Sequence, residues 1–250
     1  MRNIAACLLI FCAAAGAGTP KYAPVKGALA VPLSDDNSYL RNPAAQAPDY
    51  WALASFYVPQ HNGYSCSAAS VSMALNALLN ARRARGDDEK NIDQVQLAEK
   101  APGVHWKELL SEEGWEGRHG VTLAQLGQAS REALAAYGAA GYTVKVSTAA
   151  GDAAAGLEAF RRALAGNEKN AGDIMLIHFS QELITGAPGG PYPHVSPVGA
   201  YDEKTRRVLI MDVDREWYEP YWAADEQVYR AMAQSTKAFG RGGWVTIRRK

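Results

Sequence analysis

The order of apolar and polar positions predicts helices in the first half of the chain and strands in the second. Residues 67–79 place apolar side chains at the spacing of one buried helix face, namely Val71, Ala74, Leu75, Leu78 and Leu79. Similar periods predict helices at residues 93–100, 122–137 and 156–164. Thr122 followed by Gln125 matches a capping box, which supports a helix start there.

Shorter apolar runs predict strands at residues 142–147, 174–179, 194–201, 207–213 and 244–247. The turn at 202–205 would join two of them as neighbours, and the Gly/Pro-rich stretch 181–193 reads as a loop. Helices followed by an antiparallel sheet predict an α+β fold.

Composition narrows the classes of function. The chain has 250 residues, 48% of them hydrophobic, which suits one packed domain, alone or with an extension. Lys plus Arg equals Asp plus Glu at 26 each, so no broad basic field favours nucleic acid as a partner. We divide the chain into a signal peptide at 1–18, an extended N-terminal segment at 19–45 and a catalytic domain at 46–250.

The first residues resemble an export signal. Arg2 precedes an apolar run at 4–15 that is too short to span a bilayer, and small residues follow at 13–18. A buried terminal helix is the alternative. The signal interpretation predicts a periplasmic or secreted protein without stable membrane insertion.

The cysteine count points to a reactive thiol. Of the three cysteines, Cys7 and Cys12 fall in the predicted signal, so the mature chain keeps Cys66 alone. A solitary cysteine in an exported protein has no internal partner for a disulfide. The alternatives are a small buried apolar residue or an intermolecular disulfide.

The surroundings of Cys66 favour a nucleophile. Cys66 lies at the start of the helix predicted for 67–79, where unpaired N–H groups and the helix dipole favour a thiolate. Gln60, six residues earlier, could donate an amide N–H to an oxyanion beside the backbone N–H of Cys66. An ordinary surface glutamine is the alternative for Gln60.

A base is expected from the sheet half of the chain. The five histidines are His61, His105, His119, His178 and His194. In Cys/His enzymes the base usually comes from a distant strand and is oriented by a third polar group. His194 opens a predicted strand, and the next strand contains Asp212 within an apolar run. A buried carboxylate needs a partner, and His194 would supply it; an aspartate capping a turn is the alternative.

Several separate blocks, in the same order, resemble the phytochelatin synthase family. The nucleophile block comprises residues 60–66, 69–70 and 75–78, and the histidine block comprises 194–201. The aspartate block comprises residues 209–213 with Arg215, Tyr218, Pro220 and Trp222, and Arg241-Gly242 matches a late Arg-Gly. The likeness extends from about residue 29 to the end of the chain.

The resemblance implies a papain-like fold, with the nucleophile helix in a helical half packed on an antiparallel sheet half. It implies catalytic Cys66, His194 and Asp212, with Gln60 in the oxyanion hole. For substrate binding it implies Arg215, Tyr218 and Arg241, the arginines as a carboxylate clamp unless they are simply solvated.

The implied reaction is that of a glutathione γ-glutamylcysteinyltransferase. Cysteine attacks the peptide bond before the glycine of glutathione, and the γ-glutamylcysteinyl group then passes to water or to a second glutathione, which makes phytochelatin. The chain ends soon after Trp244, as in short bacterial members where hydrolysis tends to dominate. No cofactor or protein-bound metal is expected, and heavy-metal ions would arrive as a metal–glutathione substrate. A homodimer is compatible with the sequence.

The sequence departs from the family pattern in the implied substrate region. Gln234-Ser235-Thr236 stands where the family has an acidic residue before its late arginine, and Pro193 replaces the usual glycine before the histidine. His178 and Gln181 stand where the family has Asn and Arg. Two other functions therefore stay open, a papain-like cysteine peptidase acting on other peptides and a non-catalytic thiol or metal-binding protein.

Overall fold

The computed structural model describes residues 30–79, 91–149, 153–170 and 172–250. The predicted signal peptide with Cys7 and Cys12 lies outside the described residues, as do all of residues 80–90. Of the predicted extended segment 19–45, the described part contains a short strand and a short helix.

The described residues form helices and an antiparallel sheet, which confirms the α+β class. The helices are α1 (Ser38–Arg41), α2 (Pro48–Ala54), α3 (Cys66–Leu79), α4 (Gln94–Lys100), α5 (Trp106–Leu109), α6 (Leu123–Ala136), α7 (Ala153–Asn167), α8 (Glu182–Thr185) and α9 (Asp225–Ala233). The strands are β1 (Val31–Pro32), β2 (Tyr142–Thr148), β3 (Asp173–Ser180), β4 (Pro193–Asp202), β5 (Arg207–Ile210), β6 (Tyr221–Ala224) and β7 (Gly243–Arg249).

The strands form one sheet in the order β1-β6-β5-β4-β3-β7-β2, with each described pair antiparallel. Alternate residues of β3 point to opposite faces of the sheet. Ile174 and Leu176 join a core with α3 and α6, whereas Ile177 and Phe179 join a second core with α7 and α9. Because both faces are covered, β3 has a continuous apolar sequence rather than an alternating one.

The nucleophile helix α3 is buried nearly all round. The periodicity predicted one buried face, but of its residues only Ala77 is partly exposed. Small polar residues make this possible because each finds a partner: Ser70 Oγ donates to Val195 O at 2.9 Å, and Ser67 Oγ accepts from Trp106 Nε1 at 2.9 Å. The helix is thereby held against the sheet on one side and α5 on the other.

Several boundaries follow local signals in the sequence, and others do not. The capping box of Thr122 and Gln125 is present at the start of α6, and Asp93 caps α4 by accepting from Gln96 N. The loop predicted for 181–193 contains the short helix α8, and β5 ends at Ile210 rather than at 213. Asp212 therefore lies just beyond a strand, where the chain is free to turn toward the cleft.

Within the described residues, no helix combines the length and apolar character needed to cross a bilayer.

Asp49 is a fully buried acid in α2. Its Oδ2 accepts a hydrogen bond from Asn167 Nδ2, and its Oδ1 has no partner within the described part of the chain. Burial is the main cause that raises the pKa of Asp49 to about 9, and the negative charges of Asp173 and Glu168 contribute to the same shift. Asp49 is therefore protonated in the folded protein at neutral pH, while an unfolded aspartate is ionised above about pH 4.

Replacing Asp49 by asparagine is expected to stabilise the protein increasingly as pH rises. Between about pH 4 and about pH 9 the folded state binds a proton at Asp49 that the unfolded state lacks, so this group makes stability fall with rising pH. Asp49→Asn should gain on the order of 2 kcal/mol over wild type at about pH 8 and much less at about pH 5. Denaturant unfolding at both pH values measures this difference, with the exposed Asp35→Asn as control. An equal difference at the two pH values would contradict the prediction.

Candidate active site

Cys66 lies at the mouth of a cleft because it is the first residue of α3. Cys66 is 8% exposed, and it is one of the residues that line the cleft. The cleft has a volume of about 580 Å³. Its lining includes Gln60, Cys66, His119, His194, Arg215 and Trp217. The structure thus brings the predicted nucleophile to a space large enough for a small peptide.

His194 connects Cys66 to Asp212. It lies near the start of β4, is 5% exposed, and donates from Nε2 to Asp212 Oδ1 at 2.9 Å. The Cys66 side chain interacts with the same imidazole and favours its charged form. The ring of Phe179 meets the imidazole edge-on, with the ring centroids 5.7 Å apart. These contacts fix the orientation of the imidazole between the sulfur and the carboxylate.

Asp212 is fully buried and surrounded by donors. Its Oδ1 accepts from His194 and from the backbone N–H of Asp214 at 2.9 Å. Its Oδ2 accepts from Gln181 Nε2 and from the hydroxyl of Tyr221, each at 2.9 Å. Four donors around one side chain require an ionised, acceptor-only group.

The charges of His194 and Asp212 stabilise each other. Burial alone would lower the pKa of His194, but the attraction of Asp212 outweighs it and holds that pKa well above its ordinary value. Burial alone would raise the pKa of Asp212, but the positive charge of His194 and the surrounding hydrogen bonds keep it below its ordinary value. An imidazolium beside the sulfur is the arrangement that stabilises a thiolate.

Gln60 faces the same cleft from the loop before α3. Its backbone N–H donates to Val213 O at 2.8 Å, which ties the loop to the residue after Asp212. Its Oε1 is enclosed and has no partner within the described residues, and the side chain forms part of the cleft wall. The structure therefore brings together Gln60, Cys66, His194 and Asp212.

The three predicted substrate-binding residues lie in different places. Arg215 lines the cleft, with its guanidinium carbon 4.6 Å from the centre of the Tyr57 ring. Tyr218 is buried in the second core, with its hydroxyl 3.2 Å from Thr185 Oγ1. Arg241 is exposed and is not among the described residues that line the cleft. The structure brings Arg215 to the cleft and leaves the other two outside its wall.

Gly242, which follows Arg241, has a role in packing. A Cβ atom at Gly242 would lie 2.0 Å from the backbone oxygen of His178, so any larger residue would push β7 away from β3. The glycine of the Arg-Gly block thus allows β7 to lie close to β3.

The lining of the cleft also includes residues that the sequence analysis did not assign to the site. The imidazole of His119 stacks on Tyr64 with ring centroids 4.0 Å apart. Arg118 is held by hydrogen bonds to Gly120 O at 2.9 Å and Gln125 Oε1 at 3.1 Å, and its guanidinium lies over Phe239. No periodicity or spacing marks these residues, because the fold brings them to Cys66 from distant parts of the chain.

His178 is a second buried histidine beside the cleft. It donates from Nε2 to Val121 O at 2.9 Å. Burial lowers the pKa of His178 to about 4, so it is neutral at physiological pH and cannot replace His194 as the charged partner of the sulfur.

A comparison with protein-family models decides the family. The phytochelatin synthase model matches residues 34–243, which is most of the chain and includes each predicted catalytic residue. The chain belongs to the phytochelatin synthase family. It is also 35% identical over 75 residues to a glutathione gamma-glutamylcysteinyltransferase of Schizosaccharomyces pombe. That match covers 30% of this chain and 17% of the yeast protein.

The departures of this phytochelatin synthase family member from the family pattern have structural consequences of their own. Gln181 orients Asp212, and His178 supports the cleft from the core. Among the described residues no three His, Cys, Asp or Glu side chains are grouped so as to hold a metal ion.

Proposed function

We propose that this protein is a glutathione γ-glutamylcysteinyltransferase-type enzyme with a papain-like active site. The observation that supports it best is the buried contact of His194 with both Asp212 and Cys66, at the open end of α3. Membership of the phytochelatin synthase family and the name of the yeast relative indicate the substrate class.

In the first step, the Cys66 sulfur attacks the carbonyl carbon of the peptide bond before the glycine of glutathione. A C–S bond forms, and the carbonyl oxygen becomes an oxyanion that accepts from the backbone N–H of Cys66 and the amide of Gln60. The imidazolium of His194 gives its proton to the departing nitrogen, the C–N bond breaks, and free glycine leaves. The γ-glutamylcysteinyl group remains on sulfur as a thioester.

In the second step, His194 takes a proton from water or from the amino group of a second glutathione. The activated nucleophile attacks the thioester carbon, the C–S bond breaks, and Cys66 is restored. Water gives γ-glutamylcysteine, and a second glutathione gives phytochelatin. Asp212 holds the imidazole in place and stabilises its charge through both steps.

The cleft is lined by charges of both signs, Arg118 and Arg215 together with Asp214 and Glu216. Glutathione likewise has two carboxylates and one amino group, and the two arginines are candidates to bind the carboxylates. Arginine pairs well with carboxylates through parallel N–H donors. Arg215 thus acts as one half of the clamp; Tyr218 would support it from the core, and Arg241 would act only at the rim.

The cellular setting is part of the same proposal. The predicted signal peptide at 1–18 would deliver the enzyme to the periplasm or the exterior. Heavy-metal ions would take part as metal–glutathione substrate and not as a resident cofactor, which links the enzyme to metal response. A homodimer is compatible with the predicted activity.

Trapping the acyl-enzyme tests the proposed reaction. Brief exposure to glutathione followed by acid quenching should leave a γ-glutamylcysteinyl adduct on Cys66, because the thioester is an obligatory intermediate of this chemistry. Intact mass and peptide mapping identify the adduct. A disulfide-linked glutathione, removable by reductant, or an unmodified Cys66 during active turnover would overturn the proposal.

A further inference from the structure

The side-chain amide of Gln94 forms hydrogen bonds with the peptide groups on both sides of Gln60. Its Nε2 donates to Pro59 O at 2.7 Å, and its Oε1 accepts from the backbone N–H of His61 at 3.2 Å. Gln94 is 4% exposed, so both ends of its amide are used inside the protein. A buried side-chain amide that pairs with the backbone on either side of one residue restricts the direction of that residue's side chain.

Gln94 is itself connected to α3, the helix that begins with Cys66. Asn76 of α3 exchanges two hydrogen bonds of 2.9 Å with the backbone of Ile92, donating to its oxygen and accepting from its nitrogen. Asp93 then caps α4, whose first residue is Gln94. The segment 92–94 thus links α3 to the loop of Gln60. These hydrogen bonds restrict the position of Gln60 relative to Cys66.

The far side of the loop has a second attachment. The backbone N–H of Gln60 donates to Val213 O at 2.8 Å. With this bond and the two bonds of Gln94, three consecutive residues of the loop are tied to the surrounding structure, and Gln60 is one of the residues that line the cleft.

We propose that Gln94 is a positioning residue of the oxyanion hole and that it acts through Gln60. An oxyanion donor contributes only when it lies about 3 Å from the developing charge, and a small misplacement lowers the reaction rate strongly. Gln94 does not touch substrate in this proposal. It holds the Gln60 amide where the tetrahedral intermediate forms, and it leaves the Cys66–His194 pair unaffected. The inference rests on the proposed acyl transfer at Cys66.

Two reactions of Cys66 separate these roles. With p-nitrophenyl acetate, sulfur attacks the acetyl carbon, an oxyanion forms, and the C–O bond breaks to release p-nitrophenolate. With iodoacetamide, sulfur displaces iodide from a methylene carbon and no oxyanion forms. Both reactions need the activated sulfur, but only the first needs the oxyanion hole. Neither requires glutathione to be the natural substrate.

Gln94→Met retains the length of the side chain and removes both hydrogen bonds. We expect acylation by p-nitrophenyl acetate to slow about tenfold to a hundredfold, up to the loss caused by Gln60→Ala, with the iodoacetamide rate unchanged within about twofold. Gln96→Met is the matched control, since Gln96 is exposed on the same helix, and it should change neither rate.

The double variant tests whether Gln94 acts through Gln60. Adding Gln94→Met to Gln60→Ala should cause no further loss of acylation rate, because the donor that Gln94 positions is already gone. Independent, multiplicative losses would overturn the inference, as would an unchanged acylation rate or an equal loss in both reactions. If Gln94→Met does not fold, Gln94→Glu retains one acceptor, and its intermediate loss must follow the same pattern. A wild-type protein that is alkylated but never acylated would overturn the proposed function together with this inference.

Discussion

Cys66→Ala is expected to abolish release of glycine from glutathione, with a loss of at least about 10⁴-fold in rate. The sulfur forms the covalent bond that divides the reaction into two steps, and no other cysteine is present in the described part of the chain. Alanine also removes the interaction of the sulfur with His194, but it leaves Asp212 and its donors intact. The fold should survive, because the change deletes one small side-chain atom at the start of α3.

Amino-acid analysis of released glycine measures this prediction. Ser72→Ala provides the control, because it removes a single buried heavy atom from the same helix, where the hydroxyl donates to Ala69 O, and Ser72 is not among the described residues that line the cleft. That variant should retain wild-type activity. Glycine release by purified Cys66→Ala at more than about one per cent of the wild-type rate would show that another group is the nucleophile.

Asp212→Asn is expected to lower activity by about 10³- to 10⁴-fold and to destabilise the protein as well. Four donors surround this side chain, so the NH₂ group of asparagine must face a donor on one side and leave it unpaired. The charge that raises the pKa of His194 disappears, and burial then lowers that pKa. Less imidazolium is available to protonate the leaving nitrogen, and the alkaline limb of the rate profile should move to lower pH.

Rates measured over a pH series distinguish this effect from simple loss of stability. Asp225→Asn is the control, since Asp225 is equally buried and accepts from Arg161 at 2.8 and 3.0 Å, away from the cleft. It should destabilise the fold and leave the activity of the folded enzyme and its pH profile unchanged. A pH profile of Asp212→Asn that coincides with that of the wild type would refute the role assigned to Asp212.

The sequence predicted correctly those elements that depend on interactions between residues close together in the chain. The helix at Cys66–Leu79, the capping box of Thr122 and the central strand at Asp173–Ser180 follow from periodicity and from side chains that bond within a few residues. The helix at Asp225–Ala233 was missed despite its amphipathic face, because no capping side chain marks its start. A helix of this length is marginal by itself in water, and packing against the sheet stabilises it.

The sequence by itself determined that Cys66 would begin a buried helix and that a histidine and an acid would follow in the sheet half of an α+β fold. Composition, spacing and the family likeness were enough for this. Only the tertiary structure decided that Tyr218 and Arg241 lie outside the cleft wall and that Arg118 and His119 form part of it. It also showed that Gln94 holds the loop of Gln60. These contacts join residues far apart in the chain, and their distances depend on how helices and sheet pack, which no local pattern encodes.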